Sequence, residues 1–171
     1  MLYMSTPLAT SAVNTNRTKV VGVGLTLKSS INRDVLGLSP EAAKEWQKRT
    51  EAEFRLWADR KQNCDAIGIN NFDALQQLAL VSWLMSGDVF AVFKRYPSTP
   101  VRPYSLRVHL VEADRVSTPY RLGGGRGWRG ITDGENEKNG NKIYDGVEVD
   151  KNGMVVAYHV SNNYPWQLTW D

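Results

Sequence analysis

The sequence predicts an α+β fold in which helices pack on a small, mostly antiparallel sheet. Apolar residues recur at helical spacing in much of the chain up to Ser86, and strand patterns dominate from Val89 onward. Composition agrees, because 171 residues with 42% hydrophobic and 23% charged residues suffice for a domain with its own core. We therefore expect residues 1–171 to form a single α+β domain.

Three helices are expected, and each has a start signal. The first begins at Thr6-Pro7, a hydroxyl followed by proline at the first helical position, and should run to about Lys19. The second begins at Ser39-Pro40, after which apolar residues recur at three- and four-residue steps. The third should be capped by Asn70 or Asn71 and cover residues 72–86. Because its second half is apolar nearly all round, we expect it to be buried on several sides at the centre of the domain.

Four segments carry strand patterns. Residues 20–28 are rich in β-branched and aliphatic side chains, interrupted by Gly22 and Gly24. Residues 89–93 are a continuous apolar run. Residues 106–110 alternate, which places Arg107 and His109 on the face away from the apolar set. Residues 144–149 and 154–160 predict a hairpin across the turn at residues 150–153.

A basic segment without periodicity separates these strands. Residues 115–142 are expected to form a mobile loop, in which positions 115–130 contain four arginines and no acidic residue. Residues 133–142 are polar and predicted to be irregular. Side chains of this loop that could contact nucleic acid or a neighbouring subunit are Arg115, Arg121, Arg126, Trp128 and Arg129. A solvated insertion is the alternative interpretation.

The sequence lacks the residue sets of common catalytic and metal sites. His109 and His159 fall on separate predicted strands, and Cys64 is the only cysteine. Neither a G-x-S-x-G turn nor the Gly-Lys-Ser/Thr end of a phosphate-binding loop occurs. Carboxylates near predicted element ends fit cap and turn roles: Asp65, Asp73, Asp88, Glu112 and Asp114. We expect no enzymatic activity, no cofactor and no metal; a hydrolase that uses two of these carboxylates is a third interpretation, after those given below.

Charge and cysteine content restrict the cellular context. A net charge of +3 and a pI near 9.0 permit contact with phosphate, but fall short of a dedicated nucleic-acid binder. A single cysteine excludes an internal disulfide and is compatible with a reducing cytoplasm. No apolar run approaches the roughly 20 residues of a membrane span, and the N-terminus lacks a signal-peptide pattern. We expect a soluble intracellular product that makes no membrane contact.

Nine short blocks follow one another along more than a hundred residues of the chain. They are Val20-Val21-Gly22-Val23-Gly24-Leu25, Phe54-Arg55-Leu56-Trp57-Ala58, Asn63-Cys64-Asp65-Ala66, Asn71-Phe72, Leu75-Gln76, Ser86-Gly87-Asp88-Val89-Phe90, Glu112-Ala113-Asp114-Arg115-Val116, Gly146-Val147-Glu148-Val149-Asp150 and Val156-Ala157-Tyr158-His159-Val160. In this order they resemble the lambda-type portal proteins of tailed bacteriophages. The resemblance covers nearly the whole chain.

The resemblance implies a structural subunit of the ring-shaped, usually dodecameric portal at one capsid vertex, through which DNA is packaged and ejected. Implied partners are further copies of the chain, the terminase, capsid proteins, the head–tail connector and double-stranded DNA in the channel. The implied location is the virion, after assembly in the bacterial host cytoplasm.

Because full portals are several hundred residues long, we expect a partial portal protein. It would correspond to the wing-like domain, with the stem, clip and crown regions absent. The alternative function is a free-standing nucleic-acid-binding module that acts through residues 115–129.

Overall fold

The computed structural model describes residues 5–119 and 133–162. The described residues form five α-helices and two small antiparallel sheets, one of two strands and one of four, which confirms the α+β prediction. The chain divides into two compact units, Met1–Val111 and Glu112–Asp171.

The first unit contains all five helices. They are α1 (Pro7–Val20), α2 (Arg33–Leu36), α3 (Pro40–Ala58), α4 (Lys61–Cys64) and α5 (Phe72–Ser86). Strands β1 (Val89–Arg95) and β2 (Leu106–Glu112) follow and pair as the two-stranded sheet, and Glu112 begins the second unit. The three predicted helices are confirmed as α1, α3 and α5.

Local chemistry fixes the ends of the long helices. Ser39 Oγ accepts a hydrogen bond from the Ala42 amide at 3.2 Å, and Asn71 Oδ1 accepts one from the Ala74 amide at 3.0 Å. Gly87, at φ 86°, ends α5 in the left-handed conformation that glycine adopts most readily. The side chain of Thr6, by contrast, makes no cap bond to α1.

An aromatic cluster forms the core of the first unit where α3, α5 and β2 meet. The Trp57 ring lies 5.4 Å from Phe54 and 5.0 Å from Phe72, measured between centroids, and Phe54 and Phe72 meet edge to face at 5.5 Å. Trp57 Nε1 donates to the carbonyl of Leu106 at 2.9 Å. Buried residues around the rings are Ala58, Cys64, Leu75 and Val108.

The predicted strand over residues 20–28 is wrong. Val20 ends α1, and Gly22, at φ 58°, closes that helix with its amide donating to the Arg17 carbonyl at 3.1 Å. The backbone of Leu25 then pairs with a side chain instead of a strand. Its amide donates to Gln76 Oε1 at 2.8 Å, and its carbonyl accepts from Gln76 Nε2 at 3.4 Å.

Two burial predictions are also wrong. In α5 only Leu75 is fully buried, whereas Leu78, Trp83 and Leu84 are exposed, so the helix is not enclosed on several sides. In β2, Arg107 is buried with its guanidinium 4.4 Å from the Tyr96 ring centroid, a cation–π contact that the alternating pattern did not predict.

The second unit is a short sheet that follows one turn of 3₁₀ helix, Ala113–Arg115. Its antiparallel strands pair in chain order: β3 (Asp133–Asn136), β4 (Asn141–Tyr144), β5 (Val147–Val149) and β6 (Val155–Tyr158). The predicted hairpin across residues 150–153 is confirmed as β5 and β6. Residues 133–136 form β3, residues 137–140 a turn and residues 141 and 142 the start of β4, so the prediction of an irregular segment over residues 133–142 is wrong.

Candidate functional site

An open, aromatic-lined cavity of about 740 Å³ lies in the first unit. One wall is a stripe of α3 that includes Trp46, Thr50 and Glu53, which helical spacing of three and four residues brings to one face. The sheet contributes Phe93 of β1, together with residues of β2. Six aromatic side chains line the cavity: Trp46, Phe54, Trp57, Phe72, Phe93 and Tyr104.

Few polar groups border this cavity. The Tyr104 hydroxyl donates to Glu53 Oε2 at 2.8 Å, and burial together with this bond raises the pKa of Tyr104. Glu53 is the only acidic residue in the described lining, which contains neither histidine nor cysteine. Because most of the lining is apolar, the cavity is suited to apolar contact.

Large apolar side chains also lie on the outside of the first unit. Val23 is 92% exposed, Phe93 68% and Trp83 55%. They belong to three different parts of the unit: the segment after α1, strand β1 and helix α5. Exposed apolar side chains of this size are available for contact with other protein chains.

A buried carboxylate organises the second unit. Glu148 on β5 is 3% exposed, and Nδ2 atoms of Asn139, Asn141 and Asn136 lie 2.7, 2.8 and 3.1 Å from its oxygens. His159 Nε2 lies 2.9 Å from Glu148 Oε2. Together these groups explain why the polar residues 133–142 form a hairpin of two strands and a turn: their side-chain amides satisfy a charge that burial would otherwise leave without partners.

The electrostatics of Glu148 indicate a structural role. Hydrogen bonds from Asn139, Asn141 and Asn136, followed by the contact with His159, lower the pKa of Glu148 from 4.5 to about 2. A carboxylate with so low a pKa and its oxygens occupied by four side chains is a weak proton acceptor. The His159 backbone is also held, since its amide donates to the Gly146 carbonyl at 2.8 Å.

The sequence analysis did not predict the cluster of side chains around Glu148. A signal was present, because three asparagines within residues 136–141 precede an isolated glutamate on a predicted strand. The Asp145-Gly146 pair was missed as well: both residues have positive φ, 45° and 84°, and form the tight turn between β4 and β5.

Among the carboxylates predicted as cap and turn residues, Asp65 has a turn role. Asp65 is almost fully buried and accepts hydrogen bonds from the amides of Ile67, Ile69 and Asn70, at 2.8 to 3.0 Å, which confirms a turn role. Within residues 5–119 and 133–162, no three His, Cys, Asp or Glu side chains come close enough to hold a metal ion.

Cys64 is fully buried, and its thiol faces backbone oxygens. Its Sγ lies 3.5 Å from the Ala58 carbonyl and 3.6 Å from that of Asn70. Burial raises the pKa of the Cys64 thiol to about 11. The thiol therefore remains protonated at neutral pH, which makes it a poor nucleophile.

Of the five predicted contact residues, the structure describes only Arg115. Its Nε donates to the Ser161 carbonyl at 3.0 Å, and its guanidinium lies 4.0 Å from the Glu112 carboxylate. A backbone bridge between Val116 and Val160 runs beside it. Arg115 thus connects two parts of the second unit. The remaining four, Arg121, Arg126, Trp128 and Arg129, lie outside the described residues.

The described residues thus combine buried clusters in both units with exposed apolar side chains on the first. The family model described as "Phage portal protein, lambda family" matches residues 1–171. The chain belongs to this family, as the nine ordered blocks predicted. Portal proteins are structural components of the phage virion. They assemble into oligomeric rings, which associate with the capsid and with DNA.

The comparison with curated proteins found no match. Within the part of the chain that the structure describes, every helix is too short or too polar to cross a membrane.

Proposed function

We propose that this chain is a structural subunit of the portal ring through which DNA enters the capsid during packaging and leaves during ejection. The proposal rests on the match of the portal family model to residues 1–171. The exposed apolar side chains of the first unit support it, because a subunit that is covered by neighbours has a reason to keep Phe93 and Trp83 on its surface.

The proposed partners are other copies of the chain in a dodecameric ring, the terminase, capsid proteins, the head–tail connector and double-stranded DNA. Assembly would take place in the bacterial host cytoplasm before the ring becomes part of the virion. In this role the chain performs no catalysis. The occupied carboxylate of Glu148 and the protonated thiol of Cys64 agree with that view.

Light scattering after size-exclusion chromatography tests the ring. We expect a mass several times that of the 19.2 kDa chain, and expect Trp83→Ala to lower it. Val101→Ala is the matched control, since Val101 is also exposed but lies in the connection between β1 and β2. A folded chain that stays monomeric at high concentration would contradict the proposal.

The alternative, nucleic-acid binding through residues 115–129, is tested by salt dependence. Each arginine that neutralises a phosphate contributes a slope of about −0.9 in a plot of log affinity against log salt. Alanine at Arg121, Arg126 and Arg129 together should then reduce the slope by up to about 3. Arg115→Ala should leave the slope unchanged and lower stability, because Arg115 binds the Ser161 carbonyl. Absence of DNA binding at low salt would remove this alternative.

A further inference from the structure

Strand β2 carries a buried arginine whose charge has no anionic partner among the described residues. Arg107 is 6% exposed, and its Nε is enclosed without a hydrogen bond. Within residues 5–119 and 133–162, no carboxylate forms an ion pair with its guanidinium. Because arginine keeps its charge in proteins, Arg107 is a positive charge withdrawn from water without an anion beside it. Buried charges are normally paired, so this one lacks a group that would complete it.

The contact that Arg107 does make holds the guanidinium in place without matching its charge. The guanidinium carbon lies 4.4 Å from the centroid of the Tyr96 ring. Tyr96 is itself held, since its amide donates to the Ser105 carbonyl at 2.9 Å. An aromatic face attracts a cation but offers no oxygen to the N–H donors of the guanidinium. The group is therefore suited to a planar anion such as a carboxylate, which arginine binds through two parallel hydrogen bonds.

Arg107 lies apart from the aromatic cavity of the same unit. Leu106 and Val108 line that cavity, and neighbouring residues of a strand point to opposite faces of the sheet. Arg107 therefore belongs to the other face of β2. An anion that binds Arg107 would make a contact that is separate from any apolar contact in the cavity.

A protein carboxylate fits Arg107 better than a DNA phosphate does. Binding to DNA relies on several cations that neutralise successive phosphates, whereas Arg107 is one cation and mostly enclosed. Tyrosine and arginine are also the residue types that anchor the cores of protein interfaces. The pair of Tyr96 and Arg107 has the composition of such an anchor.

We infer that a carboxylate side chain of a second copy of this chain binds the Arg107 guanidinium when copies assemble. A second copy is the partner because the chain belongs to a ring-forming family, so the inference rests on the proposed function. The charges are complementary, since the same unit presents exposed carboxylates, among them Glu41 and Glu45 on α3. Assembly would then supply the anion that a single copy does not give to Arg107.

Removal of the charge tests the inference in the full chain. Arg107→Met keeps a long apolar side chain and removes the guanidinium. We expect a several-fold rise in the concentration needed for half-assembly, measured by light scattering after size-exclusion chromatography. A single folded copy should be at least as stable to urea, because a buried unpaired charge is gone. Arg102→Met is the matched control: Arg102 is exposed in the connection between β1 and β2, and its loss should leave assembly unchanged.

Cross-linking of the Arg107→Lys variant supplies the second measurement. This substitution keeps the positive charge and provides an amine, which a carbodiimide joins to a carboxylate in direct contact through an amide bond. Half of the chains carry a heavy-isotope label, so mass spectrometry distinguishes a link between copies from a link within one copy. We expect position 107 to be linked to an aspartate or glutamate of a second copy, and the link to be absent from dilute, unassembled chains.

The possible results separate the inference from the proposed function. If the unsubstituted chain assembles and Arg107→Met assembles equally well, the inference is wrong and the ring stands. If the link forms within one copy, or if neither variant folds, Arg107 acts inside a single copy and the inference is wrong. If assembled chains give no link at position 107, or if Arg107→Met weakens binding to a short DNA duplex and not assembly, a protein carboxylate is not the partner. If the folded chain remains monomeric at high concentration, the inference and the proposed function are both wrong.

Discussion

The two units of the molecule differ in what their interiors contain. In the first, aromatic rings of Phe54, Trp57 and Phe72 pack against aliphatic side chains. In the second, the buried Ile143 of β4 is paired across the sheet with Glu148 of β5. The carboxylate of Glu148 is also buried and is surrounded by side-chain amides. Apolar packing depends little on pH, whereas hydrogen bonds to a carboxylate depend on its ionisation. The units should therefore be sensitive to different perturbations.

The largest effect is expected from Trp57→Ala in the first unit. It removes the central ring of the aromatic cluster and the bond to the Leu106 carbonyl, which should cost about 3–5 kcal/mol of the free energy of unfolding. Trp83→Ala, at an exposed position, should cost less than about 1 kcal/mol. Urea denaturation below the concentration at which copies associate measures both, and equal losses would contradict the assigned core.

A turn glycine should produce the largest effect in the second unit. At Gly146 an added Cβ would meet the Ser117 backbone at 2.5–2.9 Å, at a φ of +84°. We expect Gly146→Ala to cost about 2–4 kcal/mol. Gly153 has a similar φ, +82°, but open space around it, so Gly153→Ala should cost only about 1–2 kcal/mol. Thermal unfolding of both variants measures the difference, and identical losses would show that the Ser117 contact is unimportant.

The carboxylate should make the second unit sensitive to acid. Because folding lowers the pKa of Glu148 from 4.5 to about 2, its contribution is complete above the unfolded pKa and is lost as the pH falls from about 4.5 towards 2. This loss is measured by following thermal unfolding through the amide NMR signals of β4 and β5 at several pH values between about 6 and 3. The unfolding temperature of these strands should fall as the pH falls. Glu148→Gln should weaken the unit at neutral pH and abolish this part of the acid dependence.

Glu135 provides the matched control for the acid experiment. Its side chain is exposed and pairs with Lys142 on the neighbouring strand, so Glu135→Gln should leave the acid dependence nearly unchanged. If both glutamine variants behaved alike, the special position of Glu148 would be refuted.

The smallest effect concerns helix caps in the first unit. Asn71→Ala removes the acceptor for the Ala74 amide and should cost about 1 kcal/mol. Thr6→Ala should cost clearly less, since the Thr6 side chain makes no cap bond. Chemical denaturation compares the two variants, and a larger loss for Thr6→Ala would contradict the capping geometry.

Helix prediction succeeded because its signals are local. Pro40 at the start of α3, Asn71 before α5 and Gly87 after it act through their own backbone neighbours, and the predicted bounds of α5 were correct. The strand over residues 20–28 failed for the opposite reason. Its composition favours a strand, but Gln76, 51 positions away, occupies the backbone of Leu25.

The Glu148 cluster shows the same limit at the level of a site. Each asparagine alone is an ordinary turn residue. Only strand pairing brings Asn136, Asn139 and Asn141 to one carboxylate and adds His159, the residue that follows β6. Asp65 is a contrasting case, since all three of its donors lie within five residues, and its turn role could be predicted.

The sequence by itself determined the three long helices, the hairpin, the α+β class and the portal family, because helix caps, residue spacing and ordered motifs depend on residues that are neighbours in the chain. Tertiary structure alone decided which apolar residues are buried, such as Leu75 but not Trp83, and which polar residues meet at Glu148. The physical reason is that burial and hydrogen-bond partners depend on segments far apart in the chain, whose positions are set only when the sheet and the helices pack.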